Sequence, residues 1–256
     1  MYAEERQQAI ADEVRARGRV SVADLAVRFD VTGETVRRDL GLLARAGVLQ
    51  RVHGGAVRPD VGSVAVEADL TERELTWHDE KVAIGAAAQR LLPPSGGSVL
   101  FDAGTTTYQA AAAVTGDREL NVVTNAVPIA AELSRLPSCE VVLTGGRIRG
   151  KTQAAVGPDT VAALARLRVS VAFIGTNGFS LQHGLSTPDP DEAAAKRAMI
   201  GAANHVVVLA DSTKINREDL VSFGTLPDIG TLVTDAGIDP AFAAQLRAHD
   251  IEVVIA

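Results

Sequence analysis

The stretch Thr32-Gly-Glu-Thr-Val-Arg-Arg-Asp-Leu40 constrains this chain more than any other. Thr32 is a good N-cap, and Val36, Leu40 and Leu43 behind it recur at helical spacing as a core stripe. Two adjacent arginines, Arg37 and Arg38, stand inside that helix. A helix over Val22–Phe29, capped by Ser21, precedes it across the turn Asp30-Val31, and a first helix over 4–17 ends at Gly18. A hairpin over Val48–Val57, bent at Gly54-Gly55, follows. Helix, turn, helix and wing in this order present a recognition helix to the DNA major groove. Arg37 and Arg38 alone would fit a merely solvated helix face; the four elements in sequence favour a DNA reader. The expected DNA contacts are Ser21, Thr32, Glu34 and Thr35 at helix starts, Arg37 and Arg38 toward phosphate or a guanine O6/N7 pair, and Arg51, His53 and Gly54 on the wing.

Charge supports this division. The 256 residues carry a formal net charge of −7, yet residues 1–58 hold ten arginines against eight acids, and the remainder is net −9. Positive charge is thus concentrated where phosphate would be met. One cysteine, Cys139, excludes an internal disulfide and fits a reducing cytoplasm. The N-terminus MYAEERQQAI has no apolar run of the signal-peptide kind, and no apolar run anywhere approaches the roughly 18 residues of a membrane span. The expectation is a cytoplasmic protein without membrane contact.

The chain reads as a domain over 1–57, a linker over 58–75, and a second domain over 76–256. In the last of these, apolar runs at Ser98–Asp102, Asn121–Thr124, Glu140–Thr144, Ser170–Gly175, His205–Ala210, Thr231–Thr234 and Glu252–Ile255 alternate with helical stretches at 79–92, 105–114, 127–135, 159–167, 191–203 and 240–249. That alternation predicts α/β architecture, a mostly parallel sheet covered on both faces, with ligands at the carboxyl ends of the strands. Phe101-Asp-Ala-Gly-Thr-Thr-Thr107 is the leading strand end. It is either an ordinary strand-turn-helix or an anion site built from Gly104, the hydroxyls of Thr105, Thr106 and Thr107, and helix N-terminal N–H groups, with Asp102 suited to sugar hydroxyls. Asn125, Arg147, Asn177 and Gly178 close other strand ends. Lysine is scarce, four against 21 arginines, which singles out Lys214, with Lys81 behind it. Glu192 and Lys196 have the spacing of an (i, i+4) ion pair or of two ligands.

Arg6-x3-Ile10-x3-Val14 followed by Thr32-x2-Thr35-Val36-Arg37-Arg38-Asp39-Leu40, with Arg51-Val-His-Gly-Gly-Ala56 in the wing, resembles the N-terminal signature of the DeoR family of bacterial transcriptional regulators. The rest resembles that family's sugar-phosphate sensor domain, itself similar in fold to ribose-phosphate isomerase and glucosamine-phosphate deaminase. The resemblance implies a regulator of a carbohydrate operon, bound to double-stranded operator DNA as a homodimer or higher oligomer. It also implies control by a phosphorylated sugar held by Asp102, Gly104, Thr105, Thr106, Thr107, Asn125, Arg147, Asn177, Gly178, Glu192 and Lys214. Fructose 1-phosphate is a first ligand to try, although no residue selects it. Gly33 departs from the pattern, at a cost of about 1 kcal/mol in helix propensity.

Two other readings compete. Asp102, Glu192 and Lys214 offer an acid and base for isomerase-like chemistry. Gly145-Gly-Arg-Ile-Arg-Gly-Lys-Thr152 matches a nucleotide phosphate loop, although Gly157-Pro158 follows too soon for the long helix such a loop opens. The five histidines show no ligand spacing, so no metal, no cofactor and no catalytic residue is expected.

Overall fold

The computed structural model describes residues 3–45, 48–52, 54–57 and 70–256. They divide into two compact units, Met1–Thr76 and Trp77–Ala256.

The first unit runs α1 (Ala3–Arg17), β1 (Arg19–Ser21), α2 (Val22–Phe29), α3 (Gly33–Arg45), β2 (Gln50–Val52), β3 (Gly55–Val57) and α4 (Leu70–Leu75). Ile10, Ala11 and Val14 of α1, Leu25 of α2, and Val36, Leu40 and Leu43 of α3 share one buried core with Val20, Leu49 and Ala56. Asp30 ends α2 in the left-handed conformation (φ 51°), and after Val31 and Thr32 α3 begins at Gly33. The wing is wider than expected: β1 pairs with β3, giving the order β1-β3-β2. Its two glycines serve different needs. Gly54 turns at φ +79°, whereas a Cβ on Gly55 would lie 2.1 Å from the Val20 carbonyl oxygen. The span taken as a linker contains α4, a short helix with Arg73 in its last turn; residues 58–69 lie outside the described residues.

The second unit runs α5 (His78–Ala88), β4 (Gly97–Phe101), α6 (Thr105–Ala112), β5 (Leu120–Thr124), α7 (Val127–Leu133), β6 (Cys139–Leu143), β7 (Arg147–Arg149), β8 (Ala154–Val156), α8 (Pro158–Leu164), β9 (Val169–Gly175), β10 (Gly178–Ser180), β11 (Gly184–Thr187), α9 (Pro190–Ala202), β12 (Ala203–Leu209), β13 (Val221–Gly224), β14 (Thr231–Thr234), α10 (Pro240–Ala248) and β15 (Glu252–Ile255). Seven strands form a sheet in the order β15-β14-β12-β9-β4-β5-β6, parallel throughout. Alternation within each strand feeds two cores. Val99, Phe101, Val122 and Phe173 pack with Ile84 of α5, Ala110 of α6 and Ile129 of α7. Leu100, Val123, Ala172 and Ile174 pack on the opposite face with Leu164 of α8, Met199 of α9 and Leu246 of α10. Strands buried on both faces carry apolar residues at nearly every position, and this is why they were legible.

The topology sets where a crevice can open. From β4 the chain steps outward to β5 and β6, then returns to β9 on the other side of β4 and continues outward through β12, β14 and β15. Strand order therefore reverses between β4 and β9, and a crevice opens beyond the carboxyl ends of strands at such a switch point. Phe101 and Phe173, paired across these two strands, stack at 5.2 Å between centroids and fix their register. Strands of three or four residues went unforeseen: β1, the hairpin β7–β8 and the antiparallel sheet β10-β11-β13.

Candidate functional site

In the first unit, the residues expected to contact DNA lie on and just before α3, at the cap of α2, and on the wing. Thr32 Oγ1 accepts from Thr35 N at 3.2 Å and bonds Thr35 Oγ1 at 2.9 Å, so the N-cap is real and both hydroxyls are engaged with each other. Glu34, Arg37 and Arg38 are exposed, and Arg37 Nη1 donates to Glu34 Oε2 at 3.2 Å. Arg51 and Gly54 are exposed on the wing; His53 lies outside the described residues. Ser21 serves first as a structural cap, accepting from Asp24 N at 3.1 Å. Gly33 is not required by packing, since a Cβ there would meet Val22 Cγ1 at an ordinary 3.5 Å.

The Arg-Arg-Asp triplet divides its labour. Asp39 is buried, accepting from Arg6 Nε at 2.7 Å and from Gln7 Nε2 at 2.9 Å. Helical geometry turns it inward while its neighbours Arg37 and Arg38 face solvent, so the aspartate ties the recognition helix to α1. Glu13, nine-tenths buried, similarly joins Arg17 (2.8 Å) and Arg28 (2.6 Å), bracing α1 against α2.

In the second unit, polar groups gather at the carboxyl ends of the parallel strands. Asp102, one residue past β4, is buried: its Oδ2 accepts from Gly175 N at 3.0 Å and pairs with Lys196 Nζ. Lys196 also donates to the Gly175 carbonyl at 2.9 Å and lies over the Phe223 ring. This pair bridges β4 and β9 across the switch point. The (i, i+4) bond between Glu192 and Lys196 is replaced by longer-range partners, because both side chains point into the protein and each finds a better-matched group there. Glu192 accepts from Arg149 Nη1 (3.2 Å), Thr152 Oγ1 (2.5 Å) and Thr187 Oγ1 (3.3 Å).

After β4, Gly104 is the N-cap of α6, no side chain caps that helix, and Thr105 and Thr106 lie in its first turn, almost buried. Thr107 is fully buried and its hydroxyl donates to the Gly104 carbonyl at 2.9 Å, which removes that group as a ready ligand donor. Asn125, past β5, donates through Nδ2 to the Ala155 carbonyl at 3.0 Å, while its buried Oδ1 accepts no hydrogen bond from the described residues. Gly178 is fixed by crowding: a Cβ would lie 2.5 Å from the Arg217 carbonyl oxygen. Asn177 donates its backbone N–H to Ser186 O at 3.1 Å.

Around Lys214 lie groups that the sequence did not single out. Asp211, past β12, is fully buried. Burial by itself would raise its carboxyl; the ammonium groups of Lys214 and Lys81 and hydrogen bonds from Thr213 outweigh that and hold it below the ordinary value of 3.8. Its Oδ2 and the Ser212 Oγ are buried without a hydrogen-bond partner among the described residues. Lys81 is only 4% exposed on α5, and its charge acts with that of Lys214 on the Asp211 carboxylate. Nearby Glu80 is pushed upward by burial first and then by Asp235, Asp211 and Asp79. The scarcity of lysine was the available signal, since three of the chain's four, Lys81, Lys196 and Lys214, belong to these clusters.

Arg147 is exposed and pairs with Asp191 at 2.5 Å. The enclosed guanidinium is that of Arg149, which holds Asp189 (2.9 Å) and Glu192 and so ties the β7–β8 hairpin to the start of α9. The same hairpin disposes of the phosphate-loop reading. Gly145–Thr152 forms a strand and turn, and Thr152, which such a loop would spend on magnesium, donates to Glu192.

Known proteins resemble this chain along both units. Residues 6–61 match the DeoR-like helix-turn-helix domain, and residues 76–236 match the DeoR C terminal sensor domain. The HTH-type transcriptional regulator GlpR of Haloferax volcanii is 36% identical over 254 residues, covering 99% of this chain and 98% of its own. The uncharacterized HTH-type transcriptional regulator YulB of Bacillus subtilis is 34% identical over 253 residues, covering 99% and 96%. The glycerol-3-phosphate regulon repressor of Escherichia coli is 29% identical over 249 residues, covering 97% of each. Among solved structures, ribose 5-phosphate isomerase A of Methanocaldococcus jannaschii aligns over 55% of each chain at 15% identity with a TM-score of 0.41, too slight a likeness to carry an inference.

Proposed function

The chain belongs to the DeoR family of transcriptional regulators, and on that premise we propose that it represses a carbohydrate-use operon and is released from DNA by a phosphorylated sugar. Division of labour is proposed as 1–57 for DNA, 58–75 as connection and 76–256 for the effector. Arg38 and Arg51 supply the salt-dependent attraction to phosphate, Arg37 reaches phosphate or a guanine O6/N7 pair, and the first turn of α3 supplies base contacts worth about 1–3 kcal/mol each. One such helix reads too little sequence to find an operator in a genome. A homodimer or larger assembly on paired half-sites, about 34 Å apart along the duplex, meets that need in the cytoplasm.

The observation that carries the effector reading is the set of buried polar groups where the strand order reverses and at the neighbouring strand ends. Asp211 Oδ2 and Asn125 Oδ1 are buried oxygens without hydrogen-bond partners among the described residues, and the charges of Lys81 and Lys214 act on the Asp211 carboxylate. Such groups cost free energy unless a polar ligand or water meets them. A sugar phosphate offers anionic oxygens to the lysines and the first turn of α6, and hydroxyl donors to the oxygens. Glycerol 3-phosphate, suggested by the Escherichia coli regulon repressor among the relatives, and fructose 1-phosphate are the first two esters to try. The effector changes DNA affinity only to the extent that it binds two arrangements of the protein unequally. Calorimetric titration of the full-length protein with these esters and the corresponding free sugars tests the reading. Binding of an ester and not of its free sugar supports it; indifference to all phosphate esters refutes it. The isomerase reading is set aside, since relatives along almost the whole chain are named regulators.

A further inference from the structure

The recognition helix carries two carboxylates with opposite fates. Asp39 is turned inward and both its oxygens are bound by α1. Glu34 stands in the first turn with its side chain 85% exposed, on the side of Arg37 and Arg38. A carboxylate carried toward a duplex is repelled by phosphate and disfavours binding unless a donor on the DNA receives it. In the major groove those donors are few. Guanine and thymine present only acceptors and a methyl group, whereas cytosine presents its N4 amino group and adenine its N6 amino group beside an N7 acceptor.

Arg37 narrows the choice. Its Nη1 donates to Glu34 Oε2 at 3.2 Å across one helical turn, and the arginine side chain is itself 55% exposed. The guanidinium neutralises the carboxylate on approach and limits its rotamers, while its other N–H groups stay available. A carboxylate beside a guanidinium matches, donor for acceptor, the edge of one C·G pair: amino group to carboxylate, O6 and N7 to arginine. The hydroxyls of Thr32 and Thr35 bond each other and the backbone. Gly33 adds no side chain next to Glu34.

We propose that Glu34 is the base-selecting residue of this protein, specifying a cytosine in each operator half-site through its N4 amino group, with Arg37 orienting the carboxylate. The proposal rests on the DNA-binding reading above and adds the base it recognises. It differs from a role in helix stability, where an acid in the first turn merely complements the helix dipole. That role would alter melting and overall affinity and leave base preference untouched.

The experiment selects binding sites from a randomised duplex library with three full-length proteins: wild type, Glu34→Ala and Glu34→Gln. The wild-type consensus should contain a cytosine at one position of each half-site. That position should lose its preference in Glu34→Ala and shift to adenine in Glu34→Gln, since glutamine pairs with adenine N6 and N7. Replacing the cytosine by thymine in the selected site should weaken wild type about tenfold and leave Glu34→Ala unaffected. A wild-type consensus reproduced unchanged by Glu34→Ala overturns the assignment while leaving the DNA-binding reading intact. A wild-type protein that selects no sequence overturns both.

Discussion

Asp39→Ala should cripple the DNA-binding unit without touching a DNA contact. Asp39 is 2% exposed and Arg6 8%, and the carboxylate is bound at both oxygens, by Arg6 Nε at 2.7 Å and Gln7 Nε2 at 2.9 Å. Removing it leaves a guanidinium inside the protein with no counter-charge, which costs about 3–5 kcal/mol for a buried pair. The unit Met1–Thr76 has a total stability of roughly 4–11 kcal/mol at typical per-residue values, so the loss is a large part of the whole. Its melting temperature should drop by at least about 12 °C, at 4–8 °C per kcal/mol for a small domain. Differential scanning calorimetry of the full-length protein, with circular dichroism at the same temperatures, reads this as the smaller transition moving down while the larger one stays. The mechanism can be separated from lost packing by the pair Arg6→Met with Asp39→Leu. This removes both charges and should recover most of the stability, because replacing a buried pair with apolar groups of similar volume is close to neutral. A loss under about 1 kcal/mol in Asp39→Ala would refute the reasoning, since that is the magnitude of a surface pair whose arginine relaxes into water.

Three further outcomes are expected. Arg37→Ala with Arg38→Ala should abolish specific DNA binding and lower the slope of log affinity against log salt by about 1–2 while the melting curve stays in place, as anisotropy and calorimetry will report. Asp102→Ala should destabilise the second unit by about 3–5 kcal/mol in urea unfolding because it strands the buried Lys196, whereas Lys214→Ala, at a half-buried residue whose carboxylate Asp211 keeps the charge of Lys81, should cost less than that, spare DNA binding and lose the response to effector. Asp211 and Asp189 both titrate below the usual carboxylate value when folded, so the stability they confer is present above pH 3.8 and disappears as pH falls through their lowered folded values. Urea midpoints should therefore decline below about pH 4, and more shallowly in Asp211→Asn.

Long-range order was legible where burial demands apolar sequence. All seven strands of the parallel sheet were found within two residues, because the five inner strands pack on both faces and even the edge strands β6 and β15 keep a short apolar run. Strand β1 and the hairpin β7–β8 have only three residues per strand, too short for a period to show. Thr32 as cap and Asp30 as turn were legible because their roles are local. Partners were not: spacing offered Lys196 the nearby Glu192, and the fold gave it Asp102, 94 residues away. Likewise Arg147 and Arg149 look alike in sequence, and only the direction of strand β7 decides which one is enclosed with Glu192. Asp39 reads as part of a DNA motif until the helix is placed against α1, where its carboxylate becomes the anchor.

The central claim, a DNA grip governed by a phosphate ester, meets its most direct test in fluorescence anisotropy. Full-length protein would be bound to DNA from upstream of its own gene and to a site recovered by selection, then titrated with sugar phosphates and their free sugars. The account predicts tight, salt-sensitive binding that one phosphate ester weakens and its free sugar does not. Tight binding left unchanged by every ester would contradict it.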